Sequence, residues 1–165
     1  SDPDVVYSAT YYPEGAIIAQ ELAQANTTAK CFMDLANVDS AFVQEAGIAA
    51  SQKCVFSGVP AAPQMPDAGA YVAAYEKAFD KEPDVWGAFT YDSAWVLFHA
   101  FWDLELPNYY PIVGNFTAIA DAVLHTRGLQ GATGTIDIRS SSGNRADAPV
   151  YILRVNGKGD FVIAD

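Results

Sequence analysis

Apolar residues in this chain fall into short blocks whose spacing changes character along its length. Val5–Ala9 is a β-rich run that follows Asp-Pro-Asp. Pro13 and Glu14 come next, a proline and an acid where a helix start favours them, and Ile17, Ile18, Leu22 and Ala25 keep helical spacing to Asn26. Lys30–Asp34 reads as a second strand. Asp39 stands where it caps a short helix carrying Phe42, Val43 and Ala46 on one face and ending at Gly47. Lys53–Ser57 reads as a third strand. This β-α-β-α-β alternation predicts an α/β fold with a parallel sheet.

The pattern then shifts. Val59–Pro66 is rich in proline, continues neither strand nor helix, and reads as an extended linker or crossover. Tyr71, Tyr75 and Phe79 lie four apart and predict a helix ending near Asp80, with Pro83 as a breaker. Tyr91, Trp95, Phe98 and Trp102 predict a second helix, made apolar nearly all round by Val96, Leu97 and Phe101, so that it needs burial on several sides. Leu104–Gly114, with Pro107 and Pro111, reads as a loop, and Phe116–Leu124 as a third helix. Strand alternation returns in Gly134–Ile138 and Val150–Val155, with a hairpin turn at Asn156–Gly159. The helical block has large aromatic faces and no strands of its own before it, so it either packs on the first sheet or wants a sheet this chain does not contain.

Composition narrows the class. With 51% apolar and 18% charged residues among 165, the chain is an ordered domain of ordinary size. No apolar run reaches the ~18 residues of a membrane span. A net charge of −11 without any Lys/Arg cluster argues against a nucleic-acid partner. Cys31 and Cys54 fall in consecutive strands; they are either bonded, which would suit an exported protein, or two buried thiols. Only His99 and His125 could join them around a metal, far away in sequence, so neither metal nor cofactor is expected.

The chemistry on offer is that of binding. In open α/β sheets the carboxyl ends of the strands line the ligand crevice. Here those ends carry Tyr11 and Tyr12 after the first strand and Asp34 after the second. Such rings and a carboxylate suit a small polar organic molecule. Each also has a plainer reading: half-buried aromatics, and a turn acid with Asn37 as a turn residue. No nucleophile stands beside a base and no paired carboxylates mark a reaction site, so no enzymatic activity is expected.

Several motifs in order carry a resemblance: Asp4-Val-Val-Tyr, Tyr11-Tyr-Pro-Glu-Gly, Asp39-Ser-Ala-Phe with Glu45-Ala-Gly, Tyr71-Val-Ala-Ala-Tyr-Glu-Lys-Ala-Phe with Glu82-Pro-Asp, Ala88-Phe-Thr-Tyr-Asp-Ser-Ala, Gly131-Ala-Thr-Gly-Thr-Ile, Gly143-Asn-Arg and Pro149-Val-Tyr. Over nearly the whole length the chain resembles the C-terminal half of type I periplasmic solute-binding proteins, the branched-chain amino-acid binding family of ABC importers. The resemblance implies two α/β lobes joined by crossovers and closing on ligand like a hinge. Residues 1–58 would be the βαβαβ part of one lobe and 59–66 a crossover. Residues 67–140 would be the helical part of the other lobe, and 141–165 the crossover and hairpin returning to the first.

The resemblance also assigns roles. Tyr11 would touch ligand, with Tyr12 beside it, and Tyr91 would line the site from the other lobe. The family's acid for the ligand ammonium aligns with Leu35 here, and Asp34 stands just before it. The implied partners are a small amino-acid-like or aromatic organic ligand, an ABC transporter permease, and a complementary N-terminal half or a second copy to cover the aromatic helices. The implied location is periplasmic or extracellular. A ligand-sensing domain of a receptor, or a truncated half without a function of its own, would use the same fold.

Overall fold

The computed structural model describes residues 3–25, 27–104 and 116–164. Apart from Leu104, the loop expected over Leu104–Gly114 lies outside them, as does the expected helix end at Asn26. The chain divides into two compact units, Ser1–Gln64 with Pro149–Asp165, and Met65–Ala148.

In the first unit, strands β1 (Val5–Ser8), β2 (Lys30–Met33) and β3 (Cys54–Gly58) pair in parallel, with helix α1 (Tyr12–Gln24) after β1 and helix α2 (Ser40–Ala46) after β2. Strands β6 (Tyr151–Val155) and β7 (Phe161–Ile163) complete the sheet in the order β1-β2-β3-β6-β7, with β6 antiparallel to β3 and β7 antiparallel to β6. The sheet is therefore mixed. The Asp39 carboxylate accepts from the Ala41 N–H at 2.8 Å and caps α2.

Side chains alternate across the pleat. Met33, Cys54, Phe56 and Leu153 are buried on one face. There Phe56 packs edge-on against Phe42 and Phe161, with ring centroids 5.1 and 5.0 Å apart. The opposite face leaves Val5, Tyr7, Val55 and Ile152 exposed. Cys31 and Cys54 are direct register partners on β2 and β3, both buried, and their sulfurs are bonded.

Several features add to the sequence pattern. A short helix, α3 (Ile48–Ser51), follows Gly47 where only a connection to the third strand was expected. The stretch 59–64 is not a free linker: it makes a 3-10 turn at Ala62–Gln64, buries Val59 and Ala62, and Gln64 Nε2 donates to the Phe161 carbonyl at 2.7 Å. Residues 141–148 of the expected crossover group with the second unit, where Arg145 donates to the carbonyls of Thr133 and Thr135, each at 2.9 Å, and the first unit resumes at Pro149.

The second unit holds helices α4 (Gly69–Phe79), α5 (Gly87–Asp103) and α6 (Phe116–Leu124) and a hairpin of β4 (Leu129–Gly131) and β5 (Gly134–Ile136). Strand β4 was not expected from sequence. Helix α5 buries Ala88, Asp92, Val96 and Ala100, one stripe at four-residue spacing. Its aromatic stripe is open: Trp102 is 83% and Phe98 59% exposed.

Candidate functional site

The carboxyl ends of β1 and β2 form a compact polar edge in the first unit. Strand β1 ends at the buried Ser8, whose hydroxyl lies 2.8 Å from that of Thr10. The next residue, Tyr11, is extended and precedes α1, and its carbonyl accepts from the Gly15 N–H. With its carbonyl engaged and Pro13 in the first helical turn, Tyr11 projects outward and is 75% exposed, whereas Tyr12 is half-buried. The Asp34 N–H donates to the Ser8 carbonyl at 3.1 Å, so the residue after β2 is tied to the end of β1.

Asn37 closes the edge. It is fully buried at the end of a 3-10 turn, Leu35–Asn37, and its Nδ2 donates to the Thr10 carbonyl at 2.8 Å and to Asp34 Oδ1 at 2.6 Å. The structure thus brings Tyr11, Tyr12 and Asp34 to one edge. Leu35, on the same turn, is 40% exposed.

Tyr91 belongs to the second unit. It lines an open hollow of about 540 Å³ together with Asp67, Tyr71, Tyr75, Trp95 and Gln130. The rings run in sequence: Tyr71 lies 5.8 Å from Tyr75 and 5.2 Å from Tyr91, and Tyr91 lies stacked 6.5 Å from Trp95. Burial pushes the Tyr71 phenol above its ordinary pKa, and Tyr75 and the Asp92 carboxylate add to the shift. The fold therefore favours the neutral phenol. Any stability it contributes is present below the ordinary tyrosine pKa and lost as pH rises through the raised value.

Beneath the hollow sits a network that sequence reading did not assemble. The buried Asp92 carboxylate accepts from the N–H groups of Ala132 and Thr133 at 2.7 and 2.8 Å and from the Thr133 hydroxyl. Arg145 donates to that hydroxyl oxygen at 2.6 Å. A Cβ at Gly131 would lie 2.5 Å from Asp92 Oδ2, so only glycine lets the carboxylate in. Three of the motifs quoted above, those at 88–94, 131–136 and 143–145, meet here. Their order along the chain was visible and their convergence was not. Among the described residues no group of His, Cys, Asp and Glu could hold a metal ion.

The chain belongs to the periplasmic binding protein family, whose sequence model matches residues 1–160. Solved structures agree in fold. A leucine-binding protein, LivK, from Thermotoga maritima superposes with a TM-score of 0.79 at 25% identity, over 99% of this chain and 44% of that one. The branched-chain amino acid transporter substrate-binding protein LivJ from Streptococcus pneumoniae, in complex with isoleucine, gives 0.74 at 20% identity, over 99% and 46%. A solute-binding protein of an ABC transporter from R. palustris, in complex with benzoate, gives 0.74 at 16% identity, over 98% and 42%. The chain thus spans less than half the length of these relatives. No curated protein matches it at a significant level.

Proposed function

We propose that the chain is part of an extracytoplasmic solute-binding protein serving an ABC importer, and that the edge formed by Tyr11 and Asp34 takes a small amino-acid-like or aromatic organic solute. The observation that carries this reading is the junction of the β1–α1 loop and Asp34 through one buried amide, at the carboxyl ends of adjacent parallel strands. Oδ1 of Asp34 serves Asn37, and Oδ2, which makes no hydrogen bond among the described residues, is the oxygen that meets a ligand ammonium. Tyr11 offers a ring face and a hydroxyl. Tyr12 is a secondary contact, and on the family pattern Tyr91 is also a ligand residue, in the hollow of the second unit. On the same reading the first unit is part of one lobe and the second unit the helical part of the other.

Thermal-shift measurements on the chain with leucine, isoleucine, benzoate and 4-methylpentanoate test the proposal. A ligand at ~100 times its Kd stabilises by ~2.7 kcal/mol, a shift of several degrees. Stabilisation by leucine or isoleucine that Asp34→Asn removes is the expected result. No stabilisation by any of the four would count decisively against it.

A further inference from the structure

Asn37 has a cost that its place in a turn does not explain. It is fully buried, and its Oδ1 has no hydrogen-bond partner. Both groups facing its Nδ2, the Thr10 carbonyl and the Asp34 carboxylate, are acceptors, so the amide cannot be turned round to satisfy Oδ1. The orphaned oxygen is sealed against the first turn of α1, where a Cβ on Gly15 would come within 1.7 Å of it. A buried amide with an unmet acceptor is unfavourable relative to an apolar side chain of that size. What the amide provides in exchange is a fixed relation between the loop that bears Tyr11 and the carboxylate of Asp34.

Resting on the reading of Tyr11 and Asp34 as ligand contacts, we propose that Asn37 is a positioning residue for ligand selection. It holds Asp34 by Oδ1 so that Oδ2 meets a cationic nitrogen, and it fixes the Thr10–Tyr11 backbone at the matching distance. The site then discriminates in favour of solutes that carry an ammonium group. A charge-assisted hydrogen bond is strong and depends on geometry, so a slack carboxylate forfeits the preference before it forfeits binding altogether.

The test is calorimetry on the full chain with leucine and with 4-methylpentanoate, which keeps leucine's carboxylate and side chain and lacks the ammonium. Wild type is expected to favour leucine by roughly tenfold or more. Asn37→Ala removes both hydrogen bonds and is expected to bring that ratio close to one, leucine losing several-fold more affinity than 4-methylpentanoate. Gly15→Ala, which displaces the same amide from the helix side, should act likewise. If Asn37→Ala does not melt cooperatively, Asn37→Ser reads the same ratio. Parallel weakening of both ligands, or an unchanged ratio, overturns the role of Asn37 when Asp34→Asn does abolish the preference. A wild type without the preference, or an Asp34→Asn variant that keeps it, overturns the reading beneath it as well.

Discussion

Asp92 accepts three hydrogen bonds from two consecutive residues of the β4–β5 turn while sitting on α5. Truncating it strands two backbone N–H groups away from water, and each such group costs ~1–3 kcal/mol. Asp92→Ala is therefore expected to lower the stability of the second unit by about 3 kcal/mol in denaturant unfolding, and Asp92→Asn by less, because its carbonyl still accepts one of the bonds. A loss under about 0.5 kcal/mol for Asp92→Ala would show that the turn holds itself. Residues whose work is local were legible in the sequence. Asp39 caps the helix that begins beside it, and Glu14 stands in the first turn of α1. The tie from Asn37 to Thr10 and those from Asp92 to the β4–β5 turn were not, because these partners lie far along the chain and hydrophobic periodicity carries no information about which turn meets which helix.

Elements with a full period of apolar residues were legible too. α1, α4, α5 and α6, and the three parallel strands, lie within a few residues of their expected bounds. α3 and β4 escaped because four and three residues are too few to display a period, and Leu129-Gln-Gly offers a single apolar side chain. The consecutive strands β2 and β3 carry the Cys31–Cys54 bond, which the sequence alone left open against two free thiols. The bond closes a loop with a sequence separation of 23. Restricting the unfolded chain over such a loop is worth about 3 kcal/mol. Replacing both cysteines by alanine should lower the unfolding midpoint of the first unit by an amount of that order, and reduction of the native chain should do the same. Equal stability of the oxidised and reduced proteins would rule out a structural role for the bond.

At the scale of the molecule, each unit leaves one apolar face uncovered. Among the described residues, Phe42 of α2 packs on the buried face of the sheet through Phe56, whereas parallel sheets are ordinarily covered on both faces. Val5, Tyr7, Val55 and Ile152 are exposed on the other side, and Phe98 and Trp102 on α5. Burying one such side chain is worth ~1.5–3 kcal/mol, and soluble monomers avoid contiguous patches of this kind. The chain is expected to associate with itself at micromolar concentration, or to bind a complementary polypeptide supplying the remaining length of its relatives, with loss of hydrophobic-dye binding as the faces close. Sedimentation of a monodisperse monomer across that range, without dye binding, would refute both.

The first unit is assembled from two stretches of chain with the whole of the second inserted between them. As the chain emerges N-terminus first, β3 is complete long before its neighbour β6, and all of Met65–Ala148 comes in the interval. Throughout that time β3 presents a bare row of N–H and C=O groups on the side later filled by Tyr151–Val155, with Phe56 lacking its packing against Phe161. The second unit, being continuous, can close as it emerges. A chain ending near Ala148 is therefore expected to hold the whole of Met65–Ala148 beside a sheet with an open edge, and to aggregate and be captured by chaperones more readily than the 165-residue chain.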